Sequence, residues 1–288
     1  MLLEQLFSGL MMGSFYALIA LGFVLVFKAT DVFNFAQGEL MMLGPFIAVA
    51  LITNLKLPLV LGIIGAILIV ALIGFLMDRL VMGSMVGQSL LAVVLATMAF
   101  SIVLRSIAAM VWGHELIGFP DIFSNIPYRV AGVAMSPSQL WVIGICLGLV
   151  VLSFLFFQYT NMGVAFRAAS ENQLGSVYVG ISVRNVFTQS WVLAAAVGAI
   201  GGILIAPITM LQVGMGHMAL TAFPAAVLGG MKSIPGAIVG GIILGVLESL
   251  AGAYLPEWVR NIFPWAALII ILLIKPEGIF GVHKRKKV

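Results

Sequence analysis

LFSGLMMGSFYALIALGFVLVF, Leu6 to Phe27, holds no charged residue. As an α-helix it is long enough to cross about 30 Å of hydrocarbon. It is too long for the apolar core of a secretory leader, and no basic flank precedes it and no A-x-A site follows it, so it reads as a retained first span. Similar runs recur down the chain, which is 62% hydrophobic and 8% charged, with a mean hydropathy of +1.21. A soluble domain carries roughly 25% charged residues, and disorder needs low hydrophobicity. The runs do not alternate apolar with polar residues as barrel strands do. The expected fold is all-α: a polytopic transmembrane helical bundle forming one domain over residues 1–288.

Spans are expected at about 6–27, 40–54, 57–77, 89–112, 136–157, 187–210, 219–232, 235–254 and 258–275. The segment 219–232 contains Pro224 and Gly229-Gly230, which suits a broken or re-entrant helix and makes the expected count 8–9. Basic residues favour the cytoplasmic side of a membrane. With the C-terminus inside, Lys28, Arg79, Arg167, Arg184, Lys232, Lys275 and the tail Lys284, Arg285, Lys286, Lys287 fall inside, against Lys56, Arg129 and Arg260 outside. The N-terminus is therefore expected outside and the C-terminus in the cytoplasm. The basic tail reads as a cytoplasmic end, not as a nucleic-acid patch. The loop His114–Ser136, with Pro120, Pro127, Phe119, Ile122, Phe123 and Ile126, then lies outside, either packed on helix ends or facing the membrane surface or an external partner.

Glycines recur at four-residue spacing in the expected spans: Gly9/Gly13, Gly144/Gly148, Gly198/Gly202, Gly236/Gly240 and Gly241/Gly245. In lipid no hydrophobic effect drives helices together, so small residues that let backbones approach do much of that work. These pairs predict a tightly packed bundle.

Polar residues interrupt the apolar runs in a few places. Ionisable groups inside a membrane are costly and mark functional sites. Glu248 lies deep in 235–254 and Arg105 lies in 89–112, each either lining a pathway or paired within the bundle. The stretch Asp31-Val-Phe-Asn-Phe-Ala-Gln-Gly-Glu39 offers Asn34, Gln37 and Glu39 as hydrogen-bonding groups, beside Phe33 and Phe35. It is either a plain connector or a kinked entrance that lines a pathway or supports a break. Gln212-Val-Gly-Met-Gly-His217 is a second polar break, either loop or cavity wall. The longest interruption is FRAASENQLGSVYVGISVRN, Phe166–Asn185, within the segment 158–186. So polar a segment belongs in water.

Several chemistries find no support. Gly229-Gly230-Met231-Lys232-Ser233 lacks the G-x-x-x-x-G-K-[ST] spacing that cradles phosphates. His114, His217 and His283 lie far apart in sequence, without a metal-binding pattern. No G-x-S-x-G nucleophile is present. The single Cys146 reads as a small packing residue.

Four stretches resemble the LivH-type permeases, the membrane subunits of ATP-binding-cassette importers for branched-chain amino acids. They are Gly13-Ser-Phe-Tyr-Ala-Leu-Ile-Ala-Leu-Gly22, Asn34-Phe-Ala-Gln-Gly-Glu39, Arg167-Ala-Ala-Ser-Glu-Asn172 followed by Gly180-Ile181, and Ala225-Ala-Val-Leu-Gly-Gly230 followed by Ser233-Ile-Pro-Gly-Ala237 and Gly240-Gly241. The matches are collinear and cover most of the chain, and the last is the most specific. Gln37 stands where the family usually has histidine, and Gly175-Ser176 where alanines are commoner.

The resemblance implies that 158–186 is a cytoplasmic coupling loop whose short helix docks on an ATPase, with Arg167, Ala168, Ala169, Glu171, Asn172 and Gly180 as its coupling residues. Arg167 and Glu171 are four apart, hence on one helical face, and can pair with each other or with the ATPase. It implies a permease subunit in a bacterial inner membrane that translocates branched-chain or other aliphatic amino acids. Two ATPases, a second LivM-like permease and a periplasmic binding protein would be its partners. It implies no enzyme activity and no cofactor bound by this chain, ATP and Mg²⁺ being held by the partners. Candidate pathway residues are Asn34, Gln37, Glu39, Gln212 and Glu248, with no metal site. The rival reading is a stand-alone secondary transporter or channel for small apolar or amide solutes such as urea. Ion coupling needs buried relays, and Glu248 and Arg105 are the obvious ones here.

Overall fold

The post around which the bundle is built is helix α1, Leu2–Thr30, buried along most of its length from Gly9 to Val26. The structure, a computed structural model, describes residues 2–85, 87–120, 128–130 and 133–281. The basic tail and most of the apolar side chains of the expected outer loop lie outside the described residues. The loop's described part includes a short antiparallel ribbon, β1 Tyr128–Val130 with β2 Val133–Met135.

Around α1 stand α3 Leu59–Leu80, α4 Leu90–Trp112, α5 Pro137–Tyr159, α8 Val183–Thr209 and α11 Ile234–Tyr254. Together with α1, these make six helices among the described residues that are long and apolar enough to cross a membrane. The other three apolar runs form shorter or interrupted helices. The run at 40–54 is α2, Gln37–Val49, prolonged by a π-helical turn Ala50–Asn54. It is buried on nearly every face inside the bundle, as a helix apolar all round should be. The run at 219–232 is broken, into α9 Gly216–Leu220 and α10 Phe223–Gly229. The last run is α12, Glu257–Ile274, with Pro264 inside it. After α12 the chain folds back onto the end of α10, where Ile279 N–H donates to Leu228 O at 2.8 Å and Phe280 N–H to Gly229 O at 3.1 Å. These bonds satisfy carbonyls that a helix C-terminus leaves orphaned.

Glycine decides the closest contacts. A Cβ on Gly241 would lie 2.3 Å from Ala17 N, and one on Gly245 would lie 2.2 Å from Gly13 N, so α1 and α11 touch backbone to backbone. Gly202 meets Met41 O of α2 at 2.0 Å in the same sense, and Gly240 meets Ala225 O of α10 at 2.3 Å. Gly144 and Gly148 on α5 face open space. Four of the five predicted pairs therefore sit in helix contacts, and the α5 pair does not.

Candidate functional site

Two breaks meet inside the bundle. The first lies between α1 and α2. Asn34 is 1% exposed; its Oδ1 accepts from Ala36 N–H at 3.0 Å and its Nδ2 donates to Gln37 Oε1 at 3.2 Å. Gln37 is fully buried and its Nε2 donates to Ala194 O of α8 at 2.9 Å. Asn34 and Gln37 thus bond to the protein interior and hold the start of α2. Of the two readings the sequence leaves for this stretch, their contacts match the support of a break. The second break, Met210–Met215, precedes α9. Gly38 and Gly216 bring the two breaks into contact, since a Cβ on Gly38 would lie 2.3 Å from Gly216 O.

Glu39 follows at this junction. It is 1% exposed, and Arg105 of α4 grips its Oε1 through Nε at 3.0 Å and through Nη2. Arg105 Nη1 also lies 3.3 Å from His217 Nε2. Its side chain remains 35% exposed, so this charged cluster opens on one side. Arg105 is seven residues before the end of α4, about 10 Å inside it. Gln212 is exposed, and no hydrogen bond joins its side chain to this cluster. Glu248 lies apart: its neighbour is Tyr16, whose hydroxyl accepts from Thr221 Oγ1 at 3.4 Å, and its Oε2 is buried with no hydrogen-bond partner among the described residues. The five candidate pathway residues therefore occupy four separate environments. The sequence did not reveal that Glu39, Arg105 and His217 come together, because they are 66 and 112 residues apart. Nor did it single out Asp78, 2% exposed, which accepts from Thr188 Oγ1 at 2.6 Å and pairs with Arg184 at 3.6 Å, tying α3 to α8.

Beside the ion cluster lies a group of aromatic rings. Phe33, Phe35 and Phe223 pack together, tilted or edge-on, with centroids 5.7–6.4 Å apart, and Phe27 lies 4.7 Å from Phe33. Thr97, which bonds the Phe33 carbonyl and the Phe35 N–H, is about 12 Å nearer the start of α4 than Arg105. Beyond the rings is a cavity of about 880 Å³ bordered by Phe27, Phe33, Phe223, Lys28, Arg167 and Lys232, among others.

The segment 158–186 forms an elbow of two helices, α6 Asn161–Glu171 and α7 Gln173–Tyr178, where a single short one was expected. The break comes from Asn172, which leaves helical geometry (φ −151°, ψ 99°) and caps α7 by accepting from Gly175 N–H at 2.9 Å. Arg167 turns back to Gln158, donating to Oε1 at 2.9 Å and to the carbonyl at 3.3 Å. Ala168 is half-buried and Ala169 is buried, while Glu171 is exposed. Gly180 closes α7: at φ +82° it donates to Val177 O at 3.0 Å while Ile181 N–H donates to Ser176 O at 2.9 Å, the paired bonds of a Schellman cap. Gly180→Ala is expected to cost about 1–2 kcal/mol locally through its left-handed backbone, read as faster hydrogen exchange at Val179–Ile181. Sequence reading passed over the apolar residues of this elbow. Leu174 is 74% exposed and Tyr178 88%, beside exposed Val177 and Val179. An apolar run inside a polar segment was the available signal.

Discontinuous helices meeting around a charged cluster inside an apolar bundle are the build of a membrane permease. The chain belongs to the branched-chain amino acid permease family: a family model described as "Branched-chain amino acid transport system / permease component" matches residues 5–272. It is 32% identical over 302 aligned residues to the high-affinity branched-chain amino acid transport system permease protein LivH of Salmonella typhimurium, covering 99% of this chain and 97% of that protein. It is 30% identical to BraD of Pseudomonas aeruginosa, covering 99% and 98%. A structure titled PsaBC from Streptococcus pneumoniae in complex with Fab aligns with a TM-score of 0.50 at 16% identity, covering 96% of this chain and 92% of that one. That likeness is one of fold. The chain is thus a multi-pass membrane protein and a transport component.

Proposed function

We propose that this chain is the membrane-spanning subunit of an ATP-driven importer for branched-chain or other aliphatic amino acids. LivH and BraD are each described as permease proteins of high-affinity branched-chain amino acid transport, which supports the substrate class. In this reading two ATP-binding-cassette ATPases hold ATP and Mg²⁺, a second, LivM-like permease completes the path, and a periplasmic binding protein delivers the substrate. The N-terminus faces outward, and the elbow and C-terminus face the cytoplasm of a bacterial inner membrane.

The observation that carries the reading is the apolar ridge Leu174, Val177, Tyr178 and Val179, exposed on a segment that belongs in water. Contiguous exposed apolar surface marks an interface. ATP-driven movement of the ATPases pushes the elbow, and the push reaches α1 and α8 through the packing of α6. Phe166 is buried against Phe157 at the end of α5, their rings 5.1 Å apart. Gly163 sits so close to Phe157 that a Cβ there would lie 2.3 Å from its carbonyl oxygen. The partly exposed Arg105 supports a pathway beside this cluster, because a guanidinium open to lipid is expensive.

Leu174→Asp is the direct test. Leu174 is 74% exposed, so the substitution leaves the bundle intact. Loss of one interface anchor is worth about 2 kcal/mol or more, so ATP-driven leucine uptake in proteoliposomes and co-purification of the ATPases should each fall at least about tenfold. Undiminished uptake by Leu174→Asp, or uptake by the chain alone on an ion gradient, sinks the reading.

A further inference from the structure

The cavity of about 880 Å³ between the aromatic rings and the elbow is lined by two kinds of residue. One set is apolar: Phe33, Phe223, Val227, Leu268 and Leu272. The other is charged, with Lys28, Arg167 and Lys232 against Glu171 and Glu277. Small-molecule sites run to about 300–1,000 Å³, mostly apolar, with a few polar groups that fix orientation. Two of the lining cations are already engaged. Lys232 pairs with Asp31 and lies 5.8 Å over the Phe27 ring, and Arg167 bonds Gln158. Lys28, in the last turn of α1, makes no hydrogen bond among the described residues and lies within electrostatic reach of Arg167 and Glu171.

We propose that this cavity is the release-side binding site for the transported amino acid. The aliphatic side chain lies against Phe33, Phe223 and Leu268, the α-carboxylate is held by Lys28, and the α-ammonium faces Glu171. This rests on the transport reading above and adds the place and pose of the substrate. Such a site selects a zwitterion with an apolar side chain. An acidic side chain would have to enter the apolar lining as a second carboxylate, which burial penalises. Because Arg167 and Glu171 belong to α6 and also border the cavity, the substrate's polar end sits on the element that the ATPases are proposed to move.

The test uses the whole transporter, purified with its ATPases. Cys146 is buried and replaced by alanine, leaving no other cysteine in this chain. Met231→Cys and Leu272→Cys are then made separately on the cavity lining, with Asn185→Cys as an exposed control. Saturating L-leucine is expected to slow N-ethylmaleimide labelling at least about fivefold at both cavity positions and not at the control, while L-glutamate leaves all three unchanged. Adding Lys28→Met should remove the leucine protection. Leucine-independent labelling at both cavity cysteines, in a complex that takes up leucine, overturns the site and leaves the transport reading standing. Protection that survives Lys28→Met overturns the carboxylate assignment. A complex that takes up no aliphatic amino acid overturns the transport reading itself.

Discussion

Replacing Arg105 with leucine is expected to destabilise the bundle by about 3 kcal/mol and to abolish uptake. Glu39 is 1% exposed and has Arg105 as its ion-pair partner among the described residues. Removing one partner of a buried pair leaves an uncompensated charge and costs about 3–5 kcal/mol. The guanidinium is 35% exposed, which places the expectation at the low end. The loss should appear as early aggregation in a thermal ramp of the detergent-purified protein. A paired replacement separates structure from transport. Glu39→Gln with Arg105→Gln removes both charges and leaves groups that can still bond each other, so most of the stability returns. Uptake should stay at least about tenfold down, because in the proposed pathway the open side of the cluster no longer carries charge. Wild-type uptake by the double variant would make the pair structural only.

Gly245→Val is expected to prevent assembly of the bundle. A Cβ at Gly245 would lie 2.2 Å from Gly13 N and 2.3 Å from Gly13 Cα, and neither backbone atom can turn aside. Helices α1 and α11 would have to separate along the face that also holds Gly9 and Gly241. Overpacking costs about 1–3 kcal/mol where side chains can adjust, and a backbone collision exceeds that. Little protein should survive extraction, and what survives should elute as aggregate on size exclusion. Gly148→Ala is the counterpart. No described residue lies within 4 Å of a Cβ there, so alanine should stabilise α5 by up to about 1 kcal/mol through helix propensity alone. Equal behaviour of the two variants would refute the assignment of the α1–α11 contact.

These two glycines belong to the same sequence pattern, and the contrast between them shows how far that pattern reaches. Spacing says that Gly144/Gly148 and Gly241/Gly245 each lie on one helix face. It does not say what that face meets, and only α11 finds a helix backbone there. The breaks at Asp31–Glu39 and Gln212–His217 were legible too, because polar residues and glycine interrupt apolar runs. That the breaks touch at Gly38 and Gly216 was not. Nor was the grouping of Glu39 with Arg105 and His217, or the retreat of Asn34 and Gln37 into the interior.

Helix formation and membrane insertion depend on neighbours a few residues away and on the solvent they avoid. Charge-free runs therefore established an all-helical membrane bundle, and polar interruptions marked where it bends. Which helix packs on which, and which charge meets which, depends on groups a hundred or more residues apart. In lipid no general apolar attraction sorts those pairings, so backbone shape and the few buried charges choose among them. That choice lies in the assembled helices, where a missing Cβ or a facing carboxylate acts across the gap between them.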